Sequence, residues 1–413
     1  MSIEKKHDYN AEALELHKKY GGKLETMGKV PLSNKDDLAR AYSPGVGAVS
    51  IAIGDAYKSA GVSGGEAAAR EYTLKRNTVA IISDGSAILG LGNLGSYAAI
   101  PVMEGKAAIL KSFAGVDAFP ICLDTQSTEE IIKIIKNIAP VFGGINLEDI
   151  AAPRCFEIEE RLRAELNIPV MHDDQWGAAT VTLTALINSL KLADKKPEQV
   201  RVVISGVGAA GVATARLLNS YGVKNIIYVD SKGIISKERD DANSLTKEKV
   251  ELLSSSNINN YTDFFVQENK FEIVSGDLSD AVKGTDVFIG LSKPNVLTEE
   301  MIKSMNSKSV VFALANPTPE IMPEVAKEAG AFIIATGRSD YPNQINNSLV
   351  FPGFWRGVLD AQYAGTYKKI ELEIFVKIAV ELAYHVSDLS AEKILPDMFD
   401  ETCVDIVARA VRG

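Results

Sequence analysis

Two pairs of adjacent acidic residues are the first candidates for chemistry in this chain. Glu148 and Asp149 stand in GGINLEDI, and Asp173 and Asp174 stand in MHDDQWG. Carboxylate oxygens without cysteine ligands suit Mg²⁺ or Mn²⁺, which keep coordination positions open for water and substrate. Taken alone, each pair is also typical of solvated loop charge or of a helix cap. His172 beside them could be a further ligand, but it is more typical of a packed or hydrogen-bonded imidazole.

Two stretches match GxGxxG, the pattern of a loop that cradles a dinucleotide pyrophosphate. In GVGAAG the strand RVVIS runs straight into the first glycine, a helix of small residues follows, and Asp230 ends the next strand 19 residues after Gly211. The residues predicted to form the dinucleotide loop are Gly206, Val207, Gly208, Ala209, Ala210 and Gly211. Asp230 as an acceptor for ribose hydroxyls favours NAD, whereas Lys232 could pair with the 2′-phosphate of NADP.

The second match, GLGNLG at residues 90–95, lacks this context. The insert DGSAIL separates it from the strand TVAIIS, and the next strand-end acid, Asp124, lies 29 residues beyond Gly95. We interpret it as a loop that leads towards Lys106, which is placed at or near the start of the helix KAAILKSF. Alone, Lys106 would be typical of a surface lysine.

The elements that must position these residues follow an α/β pattern. From about Thr78 onward, β-branched runs alternate with helical segments, which predicts parallel sheets covered by helices. The predicted strands lie in TVAIIS, AFPICLD, IPVMHDD, RVVIS, IIYVD, TDVFIGLSKPN and SVVFALANPTPE. The polar linker DKKPEQ places the change of domain between Pro153 and Gln199, and we predict domains at residues 1–158 and 159–413. The second is predicted to be a Rossmann-type doubly wound parallel sheet, followed by amphipathic helices over Lys368–Val386 and near Asp400–Arg412.

Charge and composition exclude several classes of protein. Lys and Arg total 44 and Asp and Glu total 54, and the net charge of −10 disfavours a nucleic-acid partner. MSIEKKHDYN lacks the apolar core of a secretory signal, and the three cysteines form no CxxC pair, so we expect a cytoplasmic protein without disulfides. Residues 85–103 carry no charge, but their glycines and Pro101 favour a buried glycine-rich loop leading into a helix over a membrane span.

Set together, several motifs resemble the malic enzymes, and the match is close to the small bacterial type. They run in order along nearly the whole chain as ARAYSPGVG, SDGSAILGLGNLG, PVMEGKAA, INLEDI, MHDDQWGAA, ISGVGAAG, ALANPTPE and NQINNSLVFPG. The resemblance implies an N-terminal α/β malate domain and a Rossmann domain. It also implies conversion of L-malate to pyruvate and CO2, with reduction of NAD or NADP, a divalent metal (Mg²⁺ or Mn²⁺) and a homodimer.

The same resemblance assigns roles to matching residues. Tyr42 resembles the family's general acid and Lys106 its general base, which Asp173 supports. The implied metal ligands are Glu148, Asp149 and Asp174. The residues implied to contact substrate are Lys106, Asn316, Asn346 and Asn347, with Asn316 assigned to the cofactor as well and Asn346 to substrate or nicotinamide. Without the family, Tyr42 would be typical of a half-buried loop aromatic and Asn316 of a turn.

One position departs from the larger members of the family, which have an arginine for a substrate carboxylate where this chain has Ala87. Lys106, the metal and the asparagines are partial candidates for that role. Two other functions stay open: an NAD-dependent dehydrogenase of hydroxy or amino acids that does not decarboxylate, and a catalytically silent dinucleotide sensor. The two acidic clusters argue against the first, because simple hydride transfer needs no metal. Intact Tyr42 and Lys106 argue against the second.

Overall fold

The computed structural model describes residues 8–88, 90–236, 239–255, 275–367 and 369–413. It begins with an N-terminal arm, residues 8–73, which contains the helices α1 (Tyr9–Tyr20), α2 (Lys35–Ala41) and α3 (Gly45–Tyr72). Asp8 and Asn34 cap α1 and α2, because their side chains accept backbone N–H groups of the first turns. Within these three helices only Asp37 and Gly65 are buried, so the arm is largely open to solvent.

A four-stranded parallel sheet forms the first core. Its strands are β1 (Thr78–Ser83), β2 (Asp117–Cys122), β3 (Gly144–Leu147) and β4 (Val170–His172), in the order β2-β1-β3-β4. The connecting helices are α4 (Ser96–Ala114), α5 (Thr128–Ile138) and α6 (Arg154–Glu165). Every residue of β1 and β3 is buried, as expected for central strands that are covered on both faces.

Helix α7 (Asp173–Ala193) leads from β4 to a six-stranded sheet. Its strands are β5 (Arg201–Ser205), β6 (Asn225–Asp230), β7 (Gly233–Ile234), β8 (Val287–Gly290), β9 (Val310–Ala313) and β10 (Ile333–Thr336). The helices beside them are α8 (Ala209–Tyr221), α9 (Lys247–Ser255), α10 (Leu278–Val282), α11 (Glu299–Ser304) and α12 (Pro323–Glu328). The order is β10-β9-β8-β5-β6-β7, and all neighbours except β6 and β7 are parallel. The chain reverses direction across the sheet at β5, which confirms the predicted doubly wound α/β fold.

Three helices complete the chain: α13 (Phe351–Tyr363), α14 (Leu372–His385) and α15 (Thr402–Arg412). The predicted helix from Lys368 begins at Leu372, and Lys368 itself lies outside the described residues. Helices α13 and α15 are in close contact, because a Cβ on Gly353 would lie 2.6 Å from the Val407 side chain. Helix α13 also packs on α4, and α14 packs on α7 and α8, so the tail contacts helices of both sheets.

Lys106 lies in the third turn of α4, so the prediction that it stands near a helix start is wrong. Pro101 lies inside the same helix, although proline removes a hydrogen bond there at a cost of about 3 kcal/mol. Met103 and Leu110 are fully buried, and each contributes about 1.5–3 kcal/mol, so their burial offsets the cost of Pro101. Among the described residues no helix, α4 included, has the length and apolar content to cross a bilayer.

The predicted domain boundary after residue 158 falls within α6. Strand β4 comes later in the chain but pairs with β3, with Leu147 opposite His172, so a division there would split the first sheet. The wider interval from Pro153 to Gln199 contains α7, which joins the two sheets. The division into domains stays a prediction.

Candidate active site

The two acidic pairs lie at the carboxyl edge of the four-stranded sheet. Glu148 and Asp149 follow β3 directly, whereas Asp173 and Asp174 open α7 directly after β4. Since β3 and β4 pair in parallel, both pairs arrive at the same edge. The backbone N–H of Asp149 donates to Asp174 Oδ2 at 2.7 Å, so the two loops are hydrogen-bonded to each other.

Lys106 reaches this edge from α4. Its Nζ lies 2.5 Å from Glu148 Oε1 and donates a short hydrogen bond to Asp173 Oδ2. Asn347 donates to the same Asp173 oxygen at 2.6 Å, and the Phe351 ring lies with its centroid 4.5 Å from the ammonium. The structure therefore joins the predicted base, its supporting carboxylate and one predicted substrate asparagine. We call Lys106, Glu148, Asp173 and Asn347 the Lys106 cluster.

Burial and charge act in opposite directions on this cluster. Burial alone would lower the pKa of Lys106, but the carboxylates of Asp173 and Glu148 outweigh it and raise that pKa. Burial and the neighbouring carboxylates raise the pKa of Glu148 well above its usual range, against the opposing effect of Lys106. Burial likewise raises the pKa of Asp173. Burial thus opposes ionisation of both carboxyl groups, whereas Lys106 favours it.

This donor set fits a divalent cation. Lys106 offsets one of the charges that Glu148, Asp149, Asp173 and Asp174 carry when ionised, and buried charge of one sign is costly without a counter-ion. Asp173 Oδ1 is buried and has no hydrogen-bond partner among the described residues. The predicted ligand atoms of Glu148, Asp149 and Asp174 do not all lie within 4.8 Å of one another. Their assignment as metal ligands stays a prediction.

A tighter group of metal-ligating side chains lies where α14 meets α15. The ligand atoms of His385, Asp400 and Cys403 are within 4.8 Å of one another. Asp400 accepts hydrogen bonds from His385 Nε2 at 2.7 Å and from the Thr402 backbone N–H at 3.0 Å. Asp400 also accepts from the Thr402 hydroxyl at 2.6 Å, so its oxygens already have hydrogen-bond partners within the protein and we assign no metal to this group.

The other two predicted asparagines lie in loops after strands of the second sheet. Asn316 follows β9, and its backbone oxygen would lie 2.6 Å from a Cβ on Gly90, so the GLGNLG loop touches the β9 loop. Asn346 Oδ1 accepts from the Ser348 backbone N–H at 2.9 Å and caps the turn that contains Asn347. Within the described ranges, neither Asn316 nor Asn346 is hydrogen-bonded to the Lys106 cluster.

The loop from Gly206 to Gly211 connects β5 to α8, the structural context that the GVGAAG pattern predicts. A Cβ on Gly211 would lie 2.0 Å from Gly206 O, so a glycine is needed for α8 to pack against the strand. Gly208 caps α8, and nothing lies within 4 Å of where its Cβ would stand. Val207, Ala209 and Ala210 complete the loop and the first turn. The N-terminus of α8 therefore has room for an anionic ligand.

Asp230 ends β6 as predicted, but its carboxylate is already occupied. Arg239 donates to both oxygens at 2.8 and 3.1 Å, Lys249 Nζ donates to Oδ2 at 2.8 Å, and the Lys232 backbone N–H donates to Oδ1 at 2.9 Å. Burial alone would raise the pKa of Asp230, but the bonds from Arg239 and Lys249 hold it well below its usual range. A carboxylate has about four acceptor positions. A ribose hydroxyl must therefore displace one of these donors.

Tyr42 lies in the arm, at the C-terminal end of α2, and is 68% exposed. Its backbone is bonded within the arm, to Leu38 O at 2.9 Å and from Val46 N at 2.8 Å. In the part of the chain that is described, no hydrogen bond joins its hydroxyl to the Lys106 cluster. The structure therefore does not bring the predicted general acid to the predicted base.

Sequence reasoning missed an arginine beside the loop that contains Ala87. Arg154 donates to the buried Asp84 at 2.6 Å and to Ser86 Oγ at 3.0 Å. The Ala87 backbone N–H donates to Asp149 O at 3.0 Å, so this loop is also bonded to the acidic pair after β3. Arg154 opens α6 and has no motif around it that would mark it in the sequence.

A second missed contact orients Glu148. Asn146 Nδ2 donates to Glu148 Oε2 at 3.0 Å, and Trp355 Nε1 donates to Asn146 Oδ1 at 3.0 Å. Since indole can only donate, it fixes which end of the Asn146 amide faces the carboxylate. Trp355 lies 209 residues from Asn146, so no local pattern could indicate the pair.

Comparisons with known proteins agree with this architecture. Residues 21–163 match the family model of the malic enzyme N-terminal domain, and residues 176–411 match that of the malic enzyme NAD binding domain. The NAD-dependent malic enzyme of Geobacillus stearothermophilus is 49% identical over 95% of this chain and 76% of its own length. The bifunctional malic/malolactic enzyme of Bacillus subtilis is 47% identical over 97% of this chain and 91% of its own length.

Solved structures give the same result. The crystal structure of the NAD-dependent malic enzyme from Thermotoga maritima superposes with a TM-score of 0.86 and 45% identity, over 97% of this chain and 99% of that one. The malic enzyme from Pyrococcus horikoshii superposes with a TM-score of 0.86 and 43% identity, over 98% of this chain and 89% of that one. With two family domains that together span most of its length, the chain belongs to the malic enzyme family.

Proposed function

We propose that this chain catalyses the oxidative decarboxylation of L-malate to pyruvate and CO2, with reduction of NAD and with Mg²⁺ or Mn²⁺. The observation that carries the proposal is the buried ammonium of Lys106 between the carboxylates of Glu148 and Asp173. It lies at the carboxyl edge of one sheet, and the loop from Gly206 to Gly211 lies at the carboxyl edge of the other. A base with acidic metal ligands at the edge of one sheet, together with a dinucleotide loop at the edge of the other, suits metal-assisted hydride transfer.

Lys106 is the proposed general base, which takes the proton of the C2 hydroxyl. NAD held at the loop from Gly206 to Gly211 would supply the acceptor for the C2 hydride. The role of base needs the neutral amine, whereas the carboxylates around Lys106 raise its pKa. A divalent ion held by Glu148, Asp149 and Asp174 would supply positive charge that offsets these carboxylates, and it would polarise the C2 oxygen. Asp173 then holds the ammonium that forms, and the 2.6 Å bond from Asn347 keeps that carboxylate oriented.

Tyr42 is the proposed general acid. When the C4 carboxylate leaves as CO2, the enolate of pyruvate remains, and its C3 must gain a proton. A phenol can donate this proton and be recharged from solvent. Because Tyr42 is 68% exposed on the arm, the role requires the arm to be covered when the enzyme is assembled.

We propose a homodimer in which a second copy covers the N-terminal arm. Large apolar side chains are exposed along the arm, among them Tyr9, Leu14, Tyr20, Met27, Leu32 and Ile51. An apolar cavity of about 780 Å³ opens between α3 and the turn that contains Ala139. Exposed apolar surface on this scale is typical of an interaction site. Sedimentation tests the proposal: a particle of twice 44.5 kDa supports it, and a 44.5 kDa monomer at micromolar concentration contradicts it.

NAD is the proposed cofactor. Among the relatives, the Geobacillus and Thermotoga proteins are described as NAD-dependent. The NADP-dependent malic enzyme of Escherichia coli is less similar, at 42% identity, and this chain spans half of its length. Since Arg239 and Lys249 place positive charge beside Asp230, measurable turnover with NADP is also expected.

We also propose a cytoplasmic location without a nucleic-acid partner. Cys122, Cys155 and Cys403 are free, as is usual in a reducing compartment. The net charge of −10 opposes binding to a polyanion.

One assay tests the proposed reaction. Purified protein is supplied with L-malate, Mn²⁺ and either NAD or NADP, and reduced cofactor and CO2 are measured together. We expect equal amounts of both products, with at least about 100-fold less of each from Lys106→Met. Reduced cofactor without CO2 would indicate a simple hydroxy-acid dehydrogenase, and neither product would indicate a dinucleotide sensor.

A further inference from the structure

Glu159, on α6, is a buried carboxylate that the proposed mechanism does not use. It is 4% exposed and forms no ion pair in the part of the chain that the structure describes. Burial raises the pKa of Glu159 to about 7, although Arg163 and several hydrogen bonds act against that rise. A buried acid of this kind is costly unless its oxygens are well bonded, so its partners indicate what it is for.

The four hydrogen bonds that described residues donate to the Glu159 carboxylate come from one five-residue segment. Oε1 accepts from the backbone N–H of His172 at 3.1 Å, and Oε2 accepts from Gln175 Nε2 at 2.9 Å. The indole N–H of Trp176 donates to both oxygens, at 2.9 and 3.1 Å. Glu159 therefore binds both ends of residues 172–176, the end of β4 and the first turn of α7.

The same segment contains Asp173 and Asp174. Asp173 accepts the short hydrogen bond from Lys106, and Asp174 accepts from the backbone N–H of Asp149. In an α-helix a rotation of the first turn moves both carboxylates at once, because their directions are set by the same backbone. A carboxylate that holds residues before and after this pair thus controls where both of them point.

Ordinary helix capping does not account for these contacts. A capping side chain accepts from the backbone N–H of the second or third helical residue. Glu159 instead bonds the N–H of His172, which precedes the helix, and two side chains beyond the acidic pair. The Trp176 ring is further fixed by stacking on Phe375, with centroids 5.2 Å apart and 11° between the planes.

We propose that Glu159 is a positioning residue, which orients Asp173 and Asp174 towards Lys106 and the divalent cation through its bonds to residues 172–176. The inference rests on the proposed function. It predicts that loss of the Glu159 carboxylate weakens cation binding and turnover while the dinucleotide loop on the other sheet is unaffected. Partners of this kind typically change metal affinity or activity by about 10- to 100-fold.

The test compares Glu159→Gln with Glu157→Gln. Glu157 lies on the same helix, but its side chain is 56% exposed and pairs with Arg161. Mn²⁺ binding is measured directly by electron paramagnetic resonance, NADH binding by fluorescence, and kcat and KM with L-malate. We expect Glu159→Gln to bind Mn²⁺ about 10- to 100-fold more weakly, with NADH binding unchanged. Glu157→Gln should match the wild type in all three.

Trp176→Phe keeps the test decisive if Glu159→Gln does not fold. It removes one donor to Glu159 and retains a ring that can stack on Phe375, so a smaller loss of Mn²⁺ affinity is expected. The inference would be overturned if folded Glu159→Gln had the Mn²⁺ affinity and kcat of the wild type. If Glu159→Gln is unfolded, the same result in folded Trp176→Phe would overturn it. If the wild-type protein did not oxidise malate, the proposed reaction would fail, while the Mn²⁺ titrations would still test the positioning role.

Discussion

Alanine at Gly208 and at Gly211 should have different effects, because only one of these glycines is in contact with the protein. A Cβ on Gly211 would lie 2.0 Å from Gly206 O, far inside the closest approach of a carbon and an oxygen atom. The first turn of α8 would have to move by about 1 Å to relieve this contact. Gly208 has nothing within 4 Å of its Cβ position and a φ of −92°, which alanine adopts without strain.

The magnitudes follow from these contacts. Gly211→Ala overpacks the junction of strand and helix, so we expect a loss of about 1–3 kcal/mol in the free energy of unfolding and weaker NAD binding as well. Gly208→Ala should unfold like the wild type. The added methyl group would prevent one charge-assisted hydrogen bond from a backbone N–H to the pyrophosphate. Such a bond contributes about 1.5–3 kcal/mol, which corresponds to about a 10- to 150-fold loss in kcat/KM for NAD.

Urea unfolding and steady-state kinetics with varied NAD measure the two effects separately. The KM for L-malate at saturating NAD provides an internal control, because Lys106, Glu148 and Asp173 lie at the edge of the other sheet. Wild-type kcat/KM for NAD in Gly208→Ala would mean that the pyrophosphate does not lie against this loop. Unchanged unfolding of Gly211→Ala would refute the packing argument.

Three further perturbations test the site and the fold. Tyr42→Phe should slow the conversion of enolpyruvate to pyruvate by about 100-fold or more, and more than it slows hydride transfer; an unchanged ketonisation rate would contradict the role of Tyr42. Asp174→Ala should abolish Mn²⁺-dependent turnover but retain NADH binding, and an unaltered Mn²⁺ titration would remove Asp174 from the ligand set. Burial alone would raise the pKa of Asp117, but hydrogen bonds from Lys111 and Lys29 lower it to about 2. The ionised Asp117 carboxylate therefore stabilises the folded protein above pH 3.8, and this stabilisation is lost as the pH falls through 2. Asp117→Asn should therefore cost about 1 kcal/mol at pH 7, allowing for solvent screening, and the difference should vanish in urea unfolding curves towards pH 2.

Strands were predictable from the sequence because burial leaves a local pattern. TVAIIS and RVVIS coincide with Thr78–Ser83 and Arg201–Ser205, and both are runs of β-branched residues in central strands. Since parallel strands share one carboxyl edge, the loops after them could also be predicted to meet. The same reasoning failed for α4, where the local signal of Pro101 pointed to an interruption and burial of the helix outweighed it.

Side-chain partners that lie outside the motifs could not be predicted. Asp230 was identified at the end of β6, but no pattern indicates that Arg239 and Lys249 occupy its oxygens. In the sequence Glu159 is one of several charged residues on α6. Its hydrogen-bond partners are visible only in the packing of α6 against the start of α7. Residues that need a particular local backbone can therefore be predicted from motifs, whereas the side chains that hydrogen-bond to them cannot.

The two GxGxxG loops illustrate how a structure separates residues that serve packing from residues that serve a ligand. In GLGNLG the glycines at 90, 92 and 95 have φ values of 74°, 87° and 83°, a conformation that favours glycine whatever surrounds it, and Gly90 is also pressed against Asn316. Each of them is thus explained within the protein. Gly208 has neither a left-handed backbone nor a neighbour within 4 Å, so neither strain nor packing accounts for it. A glycine that the fold does not need is expected at the start of a helix that a ligand approaches closely, so GVGAAG stays the predicted dinucleotide loop.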